Sequence, residues 1–311
     1  MVQNPVLFIT FVRPEYARRS WDAIKAAKPK TLYFYSNKGR VEKEGEIERN
    51  EEIRSYVKEI DWDCDLHTWF REETVNVYES LHGAISWLFE NEEQGIILEE
   101  DCVASLAFFD YCDKLLPSYK DDYRIWIISG DNYYESISFG EYDFFYSQDM
   151  QIFGWASWRN RWQQINWDKG LDVDHLINEG ALNAAFRTRI KRVIYRRLMN
   201  KLSDFIKETK CWDYTFLTYG IANNSLSIVP ARHLVMNIGL DGTHNHHEKT
   251  KPWNLPVSYD EPFFPVGKKP IFIQPNLEYD DVALKNNLYK TFAFHYRVIN
   301  KVKYLWKLIC Q

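Results

Sequence analysis

Between Pro5 and Ser129 the sequence keeps switching between two hydrophobic periods, and that alternation limits the possible folds more than any other feature. Short apolar runs at Pro5–Val12, Thr31–Tyr35, Leu66–Phe70, Gly95–Leu98 and Arg124–Ser129 have the length and composition of buried strands. The segments between them, Pro14–Ala27, Glu46–Ile60, Asn76–Glu90 and Ser105–Tyr119, have helical spacing. Val77, Leu81, Ile85 and Leu88, for example, fall near one face, and Pro14 is tolerated in a first turn. Strands alternating with helices predict an α/β fold, a mainly parallel sheet covered by helices. Such sheets bind ligands beyond the carboxyl ends of their strands. That rule gathers Arg13, the Ser36–Arg40 turn and Glu99–Asp101 around one crevice.

The second half is less regular. It reads as a long basic helix over Leu182–Lys207, short strands near 226–239, a proline-bearing loop region over 252–275 and a helical, basic end over Asp281–Gln311. No internal repeat or low-complexity linker divides the chain. The expected organisation is a catalytic domain over 1–250 with a C-terminal loop-rich and basic helical extension over 251–311.

With 311 residues, 45% of them hydrophobic, the chain is long enough for one large core. A net charge of −5 excludes a protein that binds polyanions with its whole surface, so any basic surface must be local. Cysteines at 64, 102, 112, 211 and 310 are odd in number and never spaced as CxxC, which favours reduced thiols over a disulfide framework or a zinc site. The beginning of the chain lacks the basic start and long apolar stretch of a signal peptide, and no window approaches the ~18 apolar residues of a membrane span. The expectation is a cytoplasmic protein, soluble or peripheral to the membrane.

The segment with the most chemistry is Gly95-Ile-Ile-Leu-Glu-Glu-Asp-Cys102, an apolar strand ending in three consecutive carboxylates. Adjacent acids repel unless a cation or solvent relieves them. A divalent ion bound to a diphosphate needs only one or two protein carboxylates, because phosphate oxygens and waters complete its shell. An isolated Glu-Glu-Asp is more often a solvated turn; its position after a buried strand reverses that preference.

The run from Trp87 to Asn132 resembles a family of bacterial nucleotide-diphospho-sugar transferases. Like this chain, its members have a hydrophobic strand, an acidic triplet, a Cys, a "FF" helix and an "ISG" strand. It is also similar to the animal N-acetylglucosaminyltransferase that begins complex N-glycan branching. The resemblance implies a GT-A fold and a triplet equivalent to Asp-x-Asp, with Asp101 as the Mn²⁺ or Mg²⁺ ligand and Glu99 and Glu100 beside the bound nucleotide-sugar. Here Glu100 replaces the usual middle Asp. "FVRPEYARRSWDAIKAAKPKTLYFYSNKGR" matches the opening strand, helix and second strand, which places Arg13 and Ser36 at the nucleotide. In "WFREETVNVYESLHGAISWLFE", Arg71 is a candidate for the base or diphosphate, with an ion pair to Glu72 or Glu73 as the plainer reading. "FGWASWRNRW" resembles the family's "WGWATW" segment. It implies that Gly154 allows close backbone approach to the donor and that Trp155 and Trp158 stack on sugars; core packing is the plainer reading. "CWDYTFLTYGIANNSLSIVP" places Asp213 where inverting members carry the general base, while on its own that Asp reads as a helix N-cap. "HLVMNIGLDGTHNHH" places His244 at the family's late metal- or diphosphate-approaching histidine; the spacing of His244, His246 and His247 is poor for structural zinc.

The implied activity is a metal-dependent, inverting transfer from a nucleotide-sugar, a UDP-sugar first, to a glycan or lipid-linked glycan in surface polysaccharide or lipopolysaccharide synthesis. A nucleotidyltransferase of similar fold is the rival, but it would carry a glycine-rich basic signature after the first strand, and Phe11–Glu15 has no glycine. A degenerate, non-catalytic glycan-binding module is the rival from another class. Two basic stretches, 182–203 and 282–311, contain no acid. The second also carries Phe292, Tyr296 and Trp306. It suits an anionic membrane surface better than nucleic acid, with a solvated helix face as the plainer reading.

Overall fold

The computed structural model describes residues 1–137, 141–168, 172–186, 188–209, 211–239 and 255–289. Its first half follows the alternation. β1 (Val6–Thr10) leads through α1 (Pro14–Ala27) to β2 (Thr31–Ser36), and α2 (Glu46–Arg54) with a following 3₁₀ turn (Ser55–Glu59) leads to β3 (Asp65–Phe70). α3 (Val77–Asn91) precedes β4 (Gln94–Glu99) and a short β5 (Cys102–Ala104), and α4 (Leu106–Tyr119) precedes β6 (Ile125–Ser129). The helix starts have local causes. Asn76 accepts a hydrogen bond from the Glu79 amide at the head of α3, and Ser105 does the same for Phe108 at the head of α4.

Then come β7 (Phe144–Ser147), β8 (Trp155–Trp158), α5 (Arg159–Trp162), α6 (Val173–Asn178), α7 (Ala181–Ala185), α8 (Arg189–Thr209), α9 (Trp212–Ala222), β9 (Leu226–Pro230) and β10 (Val235–Asn237). The single helix expected over 182–207 is therefore two, α7 and α8. The break falls where Phe186 turns inward and stacks on Tyr195. α10 (Leu277–Ala283) continues into a π-helical turn, Leu284–Tyr289, and the rest of the expected basic C-terminal helix lies outside the described residues.

Among the described residues the main sheet has the order β3-β2-β1-β4-β8-β6-β9-β7. β1, β2, β3 and β4 are mutually parallel, β8 is inserted antiparallel between β4 and β6, β9 runs parallel to β6, and β7 closes the far edge antiparallel. This is the expected α/β architecture, a Rossmann-like, mainly parallel sheet flanked by helices. Alternation along β1 sends Val6 and Phe8 to one face, with Trp21 and Ile24 of α1 and Phe108 of α4. Leu7 and Ile9 go to the other, with Ile85 and Leu88 of α3 and Phe216 of α9. Because both faces are covered, the central strands can be apolar throughout rather than alternating. The described part of 255–289 packs onto this same body. Phe264 lies edge-on to Tyr111, the Asn276 amide donates to the Tyr146 carbonyl, and the Tyr279 ring is fully buried. No disulfide joins the described cysteines, and no described helix is long and apolar enough to cross a membrane.

Candidate active site

The chain runs outward from β1 to β2 and β3, then returns to place β4 on the other side of β1. The sheet therefore splits its connections between β1 and β4, and the crevice beyond their carboxyl ends is the natural ligand site. The register pairs Ile9 with Glu99, so the acidic triplet begins at that point.

The three acids have different fates. Glu100 is buried, and its carboxylate is fully engaged: the Phe11 amide donates to Oε2 at 2.7 Å and Arg13 Nε to Oε1 at 2.6 Å. Ser20 donates to the Glu100 carbonyl at 2.9 Å, tying α1 to the same turn. Burial pushes the Glu100 pKa up, and Arg13 and the Phe11 amide oppose the rise. Burial alone would lower the Arg13 pKa, but Glu100 and then Asp101 outweigh it and hold the guanidinium charged. Asp101 is less enclosed and takes the other side of Arg13, with Nη2 at 2.9 Å from Oδ2. The Glu99 side chain has no hydrogen bond among the described residues. Burial first, then the Asp101 charge, pushes its pKa up to about 8; Arg13 opposes this, while Asp213 and Glu100 add to it.

Asp213 thus lies close enough to act on Glu99. It sits in the first turn of α9, where a helix N-terminus favours negative charge. It is not the N-cap residue; Cys211 is, and it gives no side-chain cap. Asp213 Oδ1 accepts from Cys211 Sγ at 2.7 Å and from the Tyr214 amide at 2.8 Å, and its other oxygen carries no hydrogen bond among the described residues.

β10 pairs antiparallel with β5, which draws the chain after it over the triplet. The Ile238 amide donates to the Asp101 carbonyl, and Asn237 Oδ1 accepts from the Gly239 amide. A Cβ on Gly239 would sit 2.0 Å from Asp101 Oδ2, so any side chain there would displace the Asp101 carboxylate. Gly154 is similar: its φ is +89° and a Cβ would strike Val235 of β10. Its carbonyl accepts from the Gly130 amide, and the buried Asp131 carboxyl accepts from the Phe153 amide.

The other expected site residues are placed differently. Trp155 and Trp158 are not sugar platforms. Trp155 is 1% exposed, lies between Trp212 and Phe216, and is held there because β8 is a central strand. Trp158 is equally buried and donates to the Leu116 carbonyl. Ser36 is fully buried, and its hydroxyl accepts from Asn50 and Arg54, so it anchors the loop after β2 rather than facing the crevice. Arg71 lies at the carboxyl end of β3. It donates to the Tyr35 hydroxyl at 2.7 Å and lies over the Trp69 ring, and it makes no ion pair with Glu72 or Glu73. His244 falls outside the described residues. Sequence reasoning missed Asn50 and Arg54, whose only signal was an otherwise ordinary charged helix, and Asn237, which stood inside the "NIG" match.

Asp101 and the unpartnered Glu99 are the acids of this turn that would be available to a divalent cation, with one side of Asp101 already taken by Arg13. Among the described residues no group of three or more His, Cys, Asp or Glu side chains is arranged to hold a metal ion. Few protein ligands suffice where phosphate and water supply the rest.

No family model matches the chain, and no curated protein sequence matches it. A UDP-glucose pyrophosphorylase solved with UDP-glucose is similar at 9% identity and a TM-score of 0.29, over 52% of this chain and 78% of its own. The apo glycosyltransferase GlyE of Streptococcus pneumoniae TIGR4 is similar at 12% identity and a TM-score of 0.31, over 73% of this chain and 45% of its own. These likenesses are too slight to bear on chemistry.

Proposed function

We propose that this chain is a metal-dependent, inverting glycosyltransferase that uses a nucleotide-sugar, a UDP-sugar first, and a glycan or lipid-linked glycan acceptor of a surface polysaccharide or lipopolysaccharide. The observation that carries the reading is the turn after β4, where Arg13 bridges Glu100 and Asp101 at the carboxyl end of the sheet and leaves Glu99 without a hydrogen bond among the described residues.

The residues divide the work. Asp101, with Glu99 beside it, would hold Mn²⁺ or Mg²⁺. That ion supplies charge neutralisation for the departing diphosphate. Arg13, locked by Glu100, fixes the side of Asp101 that does not face the ligand and keeps a positive charge near the phosphates. Gly239 and Gly154 let backbone approach where a side chain would fill the space. Asp213 takes the proton of the acceptor hydroxyl as that oxygen attacks the anomeric carbon from the face opposite the diphosphate, which inverts the configuration. The Cys211 thiol and Tyr214 amide hold one Asp213 oxygen and leave the other for the acceptor. His244 would complete the diphosphate site from the segment after Gly239, and the basic 282–311 segment would dock the enzyme on an anionic membrane face.

A thermal-shift screen of UDP-, GDP- and CMP-sugars with and without Mn²⁺ tests the reading, since a ligand of the folded state raises Tm by mass action. A Mn²⁺-dependent rise with one donor class is expected, and it should vanish in Asp101→Ala. Asp213→Asn keeps shape but cannot take a proton, so turnover should fall ~10²-fold or more with donor affinity kept. Near-normal turnover in that variant would remove Asp213 as the base.

A further inference from the structure

We propose that the groove between the edge strand β3 and helix α3 is a carbohydrate subsite that holds a sugar of the acceptor chain outside the crevice. It has a volume of about 480 Å³ and is lined by Thr68, Trp69, His82, Ser86, Trp87 and Glu90, with Gly83 in its wall. That is within the ~300–1,000 Å³ range of small-molecule sites.

The lining has two halves that one pyranose would satisfy together. One is aromatic and preorganised. Trp87 lies edge-on to both Tyr33 and Trp69, and His82 is stacked on Tyr78 and edge-on to Trp167, so none of these rings is free to swing. Trp69 and Trp87 remain partly exposed to the groove. The C–H face of a sugar ring carries slight positive charge and matches the negative face of an indole. The other half is polar. Glu90 and Thr68 are exposed, and neither side chain makes a hydrogen bond or ion pair among the described residues. A carboxylate accepts strong, charge-assisted hydrogen bonds from hydroxyls. Ser86 already accepts from Trp162 Nε1 at 3.0 Å, which fixes its oxygen at the groove wall. A lipid tail would leave Glu90 without a partner, whereas a sugar gives it two neighbouring hydroxyls.

The groove adjoins Arg71 at the carboxyl end of β3. Arg71, directly after β3, lies 4.5 Å over the Trp69 ring, and a Cβ on Gly83 would come within 3.0 Å of its guanidinium. The register sets Phe70 beside Ser36 and Ser36 beside Thr10, so the upper end of the groove and the acidic triplet lie at the same carboxyl end of the sheet. From there it descends along α3 past Trp87 to Glu90. Three strand spacings, ~14 Å, separate β3 from β4, which is a span of a few sugar units and not of one donor sugar. Only the assignment to the acceptor, rather than to a free glycan, rests on the transferase reading.

The test is a titration of the full chain with maltohexaose, cellohexaose, chitohexaose and their monosaccharides, followed by tryptophan fluorescence and by heat. UDP binding with Mn²⁺ is measured on the same samples. At least one hexasaccharide should quench the fluorescence and bind more tightly than its monosaccharide. Trp87→Ala should abolish that binding. The exposed substitution Glu90→Ala, which leaves the core alone, should weaken it about tenfold, the scale of a hydrogen bond to a charged group. Oligosaccharide binding unchanged in Glu90→Ala and Thr68→Ala, or no saccharide binding in a protein that still binds UDP with Mn²⁺, overturns the subsite. Binding of an extended peptide to the β3 edge in place of sugars overturns it as well. Saccharide binding through the groove in a protein that never binds a nucleotide keeps the subsite and overturns the transferase.

Discussion

Glu100 and Asp101 are neighbours in sequence, yet one is sealed under Arg13 and the Phe11 amide while the other opens to the crevice. The triplet was legible because an apolar strand led into it. Which acid would be the buried one was not, since that depends on where β4 ends and how α1 crosses behind it. The sugar-platform reading of Trp155 and Trp158 failed for a related reason, and the plainer reading of core packing holds. An indole beside a glycine suits a sugar platform or a core equally in sequence, and only the insertion of β8 between β4 and β6 decides for the core. Gly239 yields the sharpest prediction at this scale. Gly239→Ala would place a methyl group where Asp101 Oδ2 now sits, so Asp101 must turn away from its Arg13 contact. Mn²⁺-dependent UDP affinity should fall by tenfold or more, ~1.4 kcal/mol, while the thermal transition without ligand shifts little. Calorimetric titration decides, and an unaltered affinity would detach β10 from the metal site.

The elements that were legible are those long enough to show a period. α3 and α4 begin one residue inside the expected segments, because a side-chain oxygen of Asn76 or Ser105 satisfies an amide the helix cannot. Asn76→Ala should cost ~1 kcal/mol by this mechanism. Urea unfolding would show it as a lower midpoint with an unchanged slope, and a loss below ~0.3 kcal/mol would mean that packing rather than capping fixes the helix start. β5, β7 and β8 were not read as strands, being three or four residues long and too short for alternation to register. The break between α7 and α8 carries no glycine or proline. It exists because Phe186 is worth more against Tyr195 in a local core than it would be on a continuous helix, and that trade is tertiary.

At the scale of the whole molecule, the late chain closes the site from above. β10 clamps β5, and 255–289 wraps the far edge of the sheet, so the second half secures what the first half assembles. His233 sits where these meet. It is 1% exposed, its Nδ1 accepts from the Asn132 amide at 3.0 Å, and its own amide donates to Glu135 and to Ser258 Oγ. With Nδ1 accepting, the ring is neutral and its proton is on Nε2. Burial lowers its pKa from 6.5 to about 4, against a small opposing effect of the Leu255 backbone. The folded chain therefore binds this proton less readily than the unfolded chain. Stability from neutral His233 is complete above pH ~6.5, is lost progressively as pH falls from there toward about 4, and changes no further below that. The full effect is up to ~3 kcal/mol, since each tenfold loss of proton affinity on folding is worth ~1.4 kcal/mol. His233→Asn keeps an acceptor for the Asn132 amide but cannot titrate. Its unfolding free energy should depend on pH between ~7 and ~4.5 less steeply than that of the parent, by about a kcal/mol or more. Carboxylates titrate alike in both proteins, so the difference isolates His233. Equal slopes in urea denaturation at the two pH values would mean that the closure opens to let the histidine charge.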